Sequence, residues 1–243
     1  MIRMFLEFLI LCIDMILFMP VGIIAIMLYA LNFRKFSQLL VYFAARTWAR
    51  QAIMLSGCKI VINGIENIPK TDGLCVVSNH SGYMDILLLL AYIGRPLGFM
   101  AKKELSYIPF LNIWILIMGG HFIDRKRPSK ALKAINNGIK QIKSGGALII
   151  FPEGTRSKGM GLLPFHSGSF KLALRSDATI LPVAISGTYE LYEKYGKVVP
   201  CTISISFGNP LLSDFFKTHE EKQNISDTVR TLISGMLNRQ TPG

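Results

Sequence analysis

The chain has 243 residues, 51% of them hydrophobic, and a formal net charge of +12 at neutral pH. That length suits one domain plus an appendage, and an apolar, basic balance points to an anionic membrane face or to acidic or phosphorylated ligands. The positive charges are spread along the chain, and no helix-turn-helix, zinc-finger or RNA-binding signature accompanies them, so no nucleic-acid partner is expected.

The apolar excess is concentrated at the start. Between residues 4 and 31 the only charges are Glu7 and Asp14, and Pro20 and Gly22 interrupt the uncharged part, 15–31. As a helix that part reaches about 25 Å against a hydrocarbon core of about 30 Å, a borderline span that either crosses once or lies in one leaflet. Arg34, Lys35, Arg46 and Arg50 follow, and by the positive-inside rule they hold the downstream chain at the cytoplasmic face of the cell's inner membrane. Residues 36–55 form a second predicted helix, with Phe36, Leu39, Leu40, Phe43 and Trp48 and with Arg46 and Arg50 one turn apart. The reading favoured here is a membrane-lying helix whose arginines snorkel to phosphates, over a helix packed on the protein's own core. Residues 1–56 are therefore expected to be membrane-associated helices and 57–243 an α/β domain.

From Gly57 onward short strands alternate with helices. Strands are predicted at 59–62, 74–78, 98–101, 121–123, 147–151, 180–185 and 202–207, and helices at 84–93, 128–143, 168–174 and 219–238. Pro128 suits a first helical position, and Ser144-Gly145-Gly146 marks that helix's end. Such alternation implies an α/β fold with a sheet covered by helices on both faces, where ligands collect at strand ends.

The first of those ends carries Asn79-His80-Ser81-Gly82-Tyr83-Met84-Asp85, between the apolar runs 74–77 and 86–90. On one helix, residues five apart diverge by about 140° and do not meet. If His80 ends the strand and the helix starts near Gly82, Asp85 falls in the first turn and folds back onto the imidazole. A carboxylate on one ring nitrogen fixes the tautomer and leaves the other as a base. No neighbouring residue supplies a third metal ligand, and Cys12, Cys58, Cys75 and Cys201 are too dispersed for a metal motif or disulfide framework, so no metal is expected. His121, His166 and His219 are isolated and read as surface or core histidines.

Three more clusters sit at comparable junctions: Ala101-Lys102-Lys103-Glu104-Leu105, the 119–125 stretch ending in Asp124-Arg125, and Phe151-Pro152-Glu153-Gly154-Thr155-Arg156-Ser157. Lys102, Arg125 and Arg156 could all face the crevice that holds His80, and guanidinium forks match phosphate oxygens. Gly154 would let the backbone approach a ligand closely.

In this order the clusters resemble the 1-acyl-sn-glycerol-3-phosphate acyltransferase family, the bacterial lysophosphatidate acyltransferases. The match comprises the His80-x4-Asp85 block, Gly120-His121-Phe122-Ile123-Asp124-Arg125, the Phe151–Ser157 block, and Leu181-Pro182-Val183-Ala184-Ile185, and it spans about residues 57 to 210. One departure is His166, within Phe165-His166-Ser167-Gly168, where many members carry lysine. The resemblance implies a mixed, largely parallel sheet flanked by helices on both faces, of the glycerol-3-phosphate acyltransferase type. It implies that His80 takes the proton from the sn-2 hydroxyl of lysophosphatidic acid, which attacks an acyl thioester of coenzyme A or acyl carrier protein, with no bound cofactor. Asp85 would orient His80, and Lys102, Arg125 and Arg156 would hold the acceptor phosphate. Glu153 would position Arg156 or bond the glycerol, Asn79 would join the substrate contacts, and backbone N–H groups at Gly154 and Thr155 would face the oxyanion. Three alternatives remain at this point. They are another lysolipid acceptor (a lyso-ornithine lipid or lysophosphatidylglycerol), a lipid hydrolase using Ser81 or Ser169 without a Gly-x-Ser-x-Gly elbow, and a silent membrane scaffold.

Overall fold

The structure, a computed structural model, describes residues 9–10, 13–14, 16–70, 73–124, 126–216 and 218–240. Arg125 and Cys12, both singled out above, lie outside the described residues, as does most of 1–12.

The core is a seven-stranded sheet of β1 (Lys59–Asn63), β2 (Leu74–Ser78), β3 (Gly98–Lys102), β4 (His121–Ile123), β5 (Ala147–Ile150), β6 (Thr179–Ser186) and β7 (Thr202–Phe207). Its order is β1-β7-β6-β2-β5-β3-β4. Every neighbouring pair is parallel except β6 and β7. The sheet is thus mixed and largely parallel. β2, β5 and β6 read as nearly continuous apolar runs because they lie mid-sheet with both faces covered.

Side chains of β2 alternate between two cores. Leu74 and Val76 join Leu88, Leu89, Ile115 and Leu181 on one face, while Cys75 and Val77 join Ile139, Ile142, Phe170 and Val229 on the other. Fully burying Leu74, Leu148 or Ile180 stabilises the fold by about 1.5–3 kcal/mol each. The first face is covered by α1 (Met19–Ala30), α2 (Arg34–Leu55), α3 (Met84–Tyr92) and α4 (Leu111–Ile117). The second is covered by α5 (Pro128–Lys143), α6 (Lys171–Ser176) and α8 (His219–Gln240), whereas the one-turn α7 (Thr188–Leu191), after β6, places Leu191 in the first core.

One side of residues 36–55 makes the core contact that ranks, on sequence alone, below a membrane-lying helix. Val41, Ala44, Ala45, Ala49, Ala52 and Ile53 of α2 are buried, and the helix packs on α1 and α3. Small residues let helix axes approach closely, so this stripe is a protein contact. Arg46 does not reach away from the protein; its Nε donates to the Ala91 carbonyl (3.2 Å), one of the orphan acceptors in the last turn of α3. The outer surface remains apolar: Ile23, Ile24 and Met27 of α1, Phe36 and Phe43 of α2 and Leu116 of α4 are each at least half exposed. Among the described residues no helix is long and apolar enough to cross a membrane.

Cys58 and Cys201 adjoin the paired starts of β1 and β7, with their sulfurs 3.7 Å apart as free thiols. Burial pushes the Cys201 thiol up to about 12, and the neighbouring Cys58 adds to the shift.

Candidate active site

Because β2 to β6 run parallel, the ends of β2, β3, β4, β5 and β6 open on one edge of the sheet. His80 lies two residues beyond β2, and α3 begins at Met84, so Asp85 stands in its first turn. The chain between them folds the carboxylate back: His80 Nδ1 and Asp85 Oδ2 are 2.7 Å apart. The same oxygen accepts the backbone N–H of Ser81 (2.6 Å) and of Gly82 (3.0 Å), and Oδ1 accepts the Thr188 hydroxyl (2.6 Å). Asp85 and Thr188 are fully buried, and a carboxylate tolerates such burial only when its lone pairs are occupied in this way. Gly82 is required for the approach, since a Cβ there would lie 2.9 Å from the Thr188 carbonyl. With Nδ1–H donating to Asp85, the imidazole's basic lone pair is on Nε2. The ring stacks on Phe151, centroids 4.1 Å apart, and keeps 17% of its surface exposed.

The Phe151–Ser157 block builds the floor beneath His80. Glu153 is buried, and its two oxygens accept the backbone N–H of His80 (2.6 Å) and of Leu163 (3.1 Å). Burial raises the pKa of this carboxyl above its ordinary value, and the two N–H donors oppose the shift. Glu153 therefore fixes the His80 main chain; neither of these bonds goes to Arg156. The Ser157 N–H donates to the His80 carbonyl (2.8 Å), closing the contact from the other side. Gly154 adopts φ +69°, which glycine accepts without penalty, and its N–H donates to the Phe151 carbonyl (3.0 Å). That N–H thus closes a turn and is not aimed at an oxyanion. Thr155, beside it, is exposed.

Asn79 is committed to the framework. Its Nδ2 donates to the Ile185 carbonyl and its Oδ1 accepts the Ile185 N–H, both at 2.8 Å, locking β2's end to β6. Arg156 lies over the Tyr83 ring, with the guanidinium carbon 3.7 Å from the centroid. It donates to Glu193 (3.0 Å) and to the Tyr83 hydroxyl (3.1 Å), and the same Glu193 oxygen accepts the Tyr83 N–H (2.7 Å). Lys102 is exposed at β3's end. Lys103 bonds Asp124 (3.1 Å) and joins the ends of β3 and β4; that bond holds Asp124 below the usual carboxylate range and Lys103 above the usual amine range. His121 bonds Gln141 (2.8 Å), and burial lowers its pKa.

His80 and Asp85 are thus brought together, with Glu153 and Gly154 beneath them and Arg156 attached to Tyr83 at the start of α3. Thr188, Phe151, Tyr83 and Glu193 have parts in the site that the motif reading did not give them. Tyr83 and Phe151 lie inside the motif blocks, whereas Thr188 and Glu193 carried no local signal. Among the described residues no group of three His, Cys, Asp or Glu side chains gathers in metal-binding geometry.

A largely parallel α/β sheet with a carboxylate-oriented histidine at its carboxyl edge has a geometry suited to base-assisted transfer or hydrolysis. The comparisons narrow it. The family model described as Acyltransferase matches residues 59–186. The chain is 34% identical over 189 residues to the 1-acyl-sn-glycerol-3-phosphate acyltransferase of Borreliella burgdorferi, covering 77% of this chain and 75% of that one. It is 33% identical over 159 residues to the Saccharomyces cerevisiae enzyme of the same name, covering 64% of this chain but only 52% of the yeast protein. The crystal structure of the 1-acyl-sn-glycerophosphate acyltransferase PlsC from Thermotoga maritima matches with a TM-score of 0.74 at 28% identity, over 97% of each chain. The chain belongs to the 1-acyl-sn-glycerol-3-phosphate acyltransferase family.

Proposed function

We propose that this protein transfers a fatty acyl group from a thioester to the sn-2 hydroxyl of 1-acyl-sn-glycerol-3-phosphate, giving phosphatidic acid for phospholipid synthesis. The observation that carries this reading is the His80 ring held through Nδ1 by a fully buried carboxylate. His80 Nε2 takes the hydroxyl proton as the oxygen attacks the thioester carbonyl, and Asp85 stabilises the imidazolium. The tetrahedral intermediate collapses with cleavage of the C–S bond, and the proton passes from His80 to the leaving thiolate. The acceptor oxygen is itself the nucleophile, so no acyl-enzyme forms.

Arg156 and Arg125, with Lys102 at the neighbouring strand end, hold the acceptor phosphate. Tyr83 and Glu193 keep the Arg156 fork preorganised for it. Asn79 and Glu153 act as positioning residues for the His80 loop, and Thr155 borders the acceptor. The donor is an acyl thioester of coenzyme A or acyl carrier protein. The exposed apolar surface of α1, α2 and α4 rests in one leaflet at the cytoplasmic face of the membrane, where acceptor and product reside.

The test is a panel of lysolipid acceptors with purified protein and one labelled acyl thioester, analysed by lipid mass spectrometry. The expected result is labelled phosphatidic acid from lysophosphatidate in preference to products of lyso-ornithine lipid or lysophosphatidylglycerol. Free fatty acid released at equal rate with or without acceptor would instead make the protein a hydrolase.

A further inference from the structure

Basic residues occur all along this chain, but acidic ones do not keep pace with them everywhere. Residues 125–177 hold eleven Lys and Arg against two acidic residues, Glu153 and Asp177, and so contribute nine of the twelve net positive charges. One of the two acids, Glu153, is buried beneath His80, so Asp177 is the stretch's own surface acid, while Asp124 and Glu193 from outside it pair with Arg127 and Arg156.

Most of these eleven basic residues lie on or beside one helical layer. Lys130, Lys133 and Lys140 are exposed on α5, and at about 100° per residue they lie within about 80° of one another on its outer face. The opposite side of α5 carries Ala134, Gly138, Ile139 and Ile142 into the core. Gly138 brings α6 close, since a Cβ there would meet Leu172 at 2.7 Å. Lys171 and Arg175, exposed one turn apart on α6, continue the basic surface. Lys126 and Arg127, also exposed, extend it toward the end of β4, on the edge where His80 stands.

The location separates this surface from the membrane. The helices α1, α2 and α4, with their exposed apolar residues, lie on one face of the sheet, and α5, α6 and α8 lie on the other. A bilayer plane that takes the first face leaves the outer side of the second in water. The basic surface is therefore open to a soluble macromolecule of opposite charge, beside the crevice yet away from the lipid.

We infer that the outer face of α5 and α6 is a docking surface for an acidic acyl carrier protein, which delivers its thioester-bound acyl group over the edge of β4 to His80. This deepens the acyl-transfer reading above and rests on it. Complementary fields of this kind speed encounter and fix orientation, and they weaken as salt rises.

The test compares one acyl chain on acyl carrier protein and on coenzyme A, using wild type and the triple variant Lys130→Glu, Lys133→Glu, Lys140→Glu. Binding of the carrier protein without its acyl chain is measured in parallel. In wild type, kcat/KM for the carrier-protein donor should fall steeply as salt is raised from about 0.05 to 0.3 M. In the variant it should drop by at least about tenfold and lose its salt dependence, with kcat/KM for acyl-coenzyme A within about twofold of wild type. That retained activity also reports an intact fold. Equal losses with both donors, a wild type that turns over acyl-coenzyme A but not the carrier-protein donor, or a variant unchanged except for weaker flotation with anionic vesicles would each overturn the docking surface. The binding arm separates the two levels. Charge-dependent binding without turnover from either donor would sink the acyl-transfer reading and uphold the surface. Turnover from acyl-coenzyme A without carrier binding would do the reverse.

Discussion

Thr188→Val offers the most informative perturbation of the site. The side chain is fully buried and its hydroxyl donates to Asp85 Oδ1 at 2.6 Å, while Oδ2 serves His80, Ser81 and Gly82. Valine keeps the shape and removes the donor. A hydrogen bond to a charged group is worth about 1.5–3 kcal/mol, and a buried acceptor left short of a donor carries that loss in full. For a domain of this size the melting temperature should fall by roughly 3–12 °C. To the extent that the hydroxyl also keeps the carboxylate aligned with Nδ1 as the imidazolium forms, 1.4 kcal/mol corresponds to tenfold, so kcat should fall ~10–100-fold. Thr188 makes no proposed substrate contact, and KM for both substrates should stay near wild type. Thr188→Ser, which restores the hydroxyl, should recover most of kcat. The assay is steady-state transfer to lysophosphatidate alongside thermal unfolding. A folded valine variant with wild-type kcat, or a serine variant as slow as the valine one, would refute the positioning role.

Three further outcomes follow from the same geometry. Arg156→Ala should raise KM for the acceptor several-fold more than KM for the thioester, and steady-state kinetics with each substrate varied will show whether the loss is that selective. Burial holds the Glu153 carboxyl above its ordinary 4.5, so the folded protein retains a proton that the unfolded chain has already released. That stabilisation is complete below the unfolded pKa and is lost as pH rises through the folded one. Urea midpoints of Glu153→Gln across this window should therefore decline less with pH than those of wild type, and parallel curves would exclude Glu153 as the source. Deleting residues 1–31 should reduce vesicle flotation while preserving the circular dichroism of the sheet domain. Because α1 packs on α2 and α4, the truncated protein should also melt at a lower temperature, and loss of the fold would make this segment part of the core.

The strands were legible because each is a short apolar run bounded by glycine, asparagine or charge, and each observed strand lies within two residues of its expected limits at either end. The helix at Leu111–Ile117 was not, since seven residues rich in Ile and Leu fit a buried strand as well as one face of a helix. Residues 36–55 were recognised as helical, but apolar content alone could not say what their inner face touches; the stripe of alanines decides it in favour of α1 and α3. In the site, His80 and Asp85 were readable because a five-residue spacing at a strand–helix junction is a local geometric statement. Thr188 and Glu193 were not, because their partners are 103 and 110 residues away and only the parallel alignment of β6 with β2 brings them in. Glu153 fell between these cases: its motif was visible, but that it holds the His80 backbone depends on how β5 and β2 end side by side.

The central claim is that His80 is the general base of an acyl transfer to a lipid hydroxyl. Its most direct test is the rate of labelled phosphatidic acid formation from lysophosphatidate by His80→Ala, measured beside wild type with circular dichroism as the folding control. The account predicts a loss of ~10²–10⁴-fold with an unchanged spectrum. Turnover at the wild-type rate by a folded His80→Ala protein would contradict it.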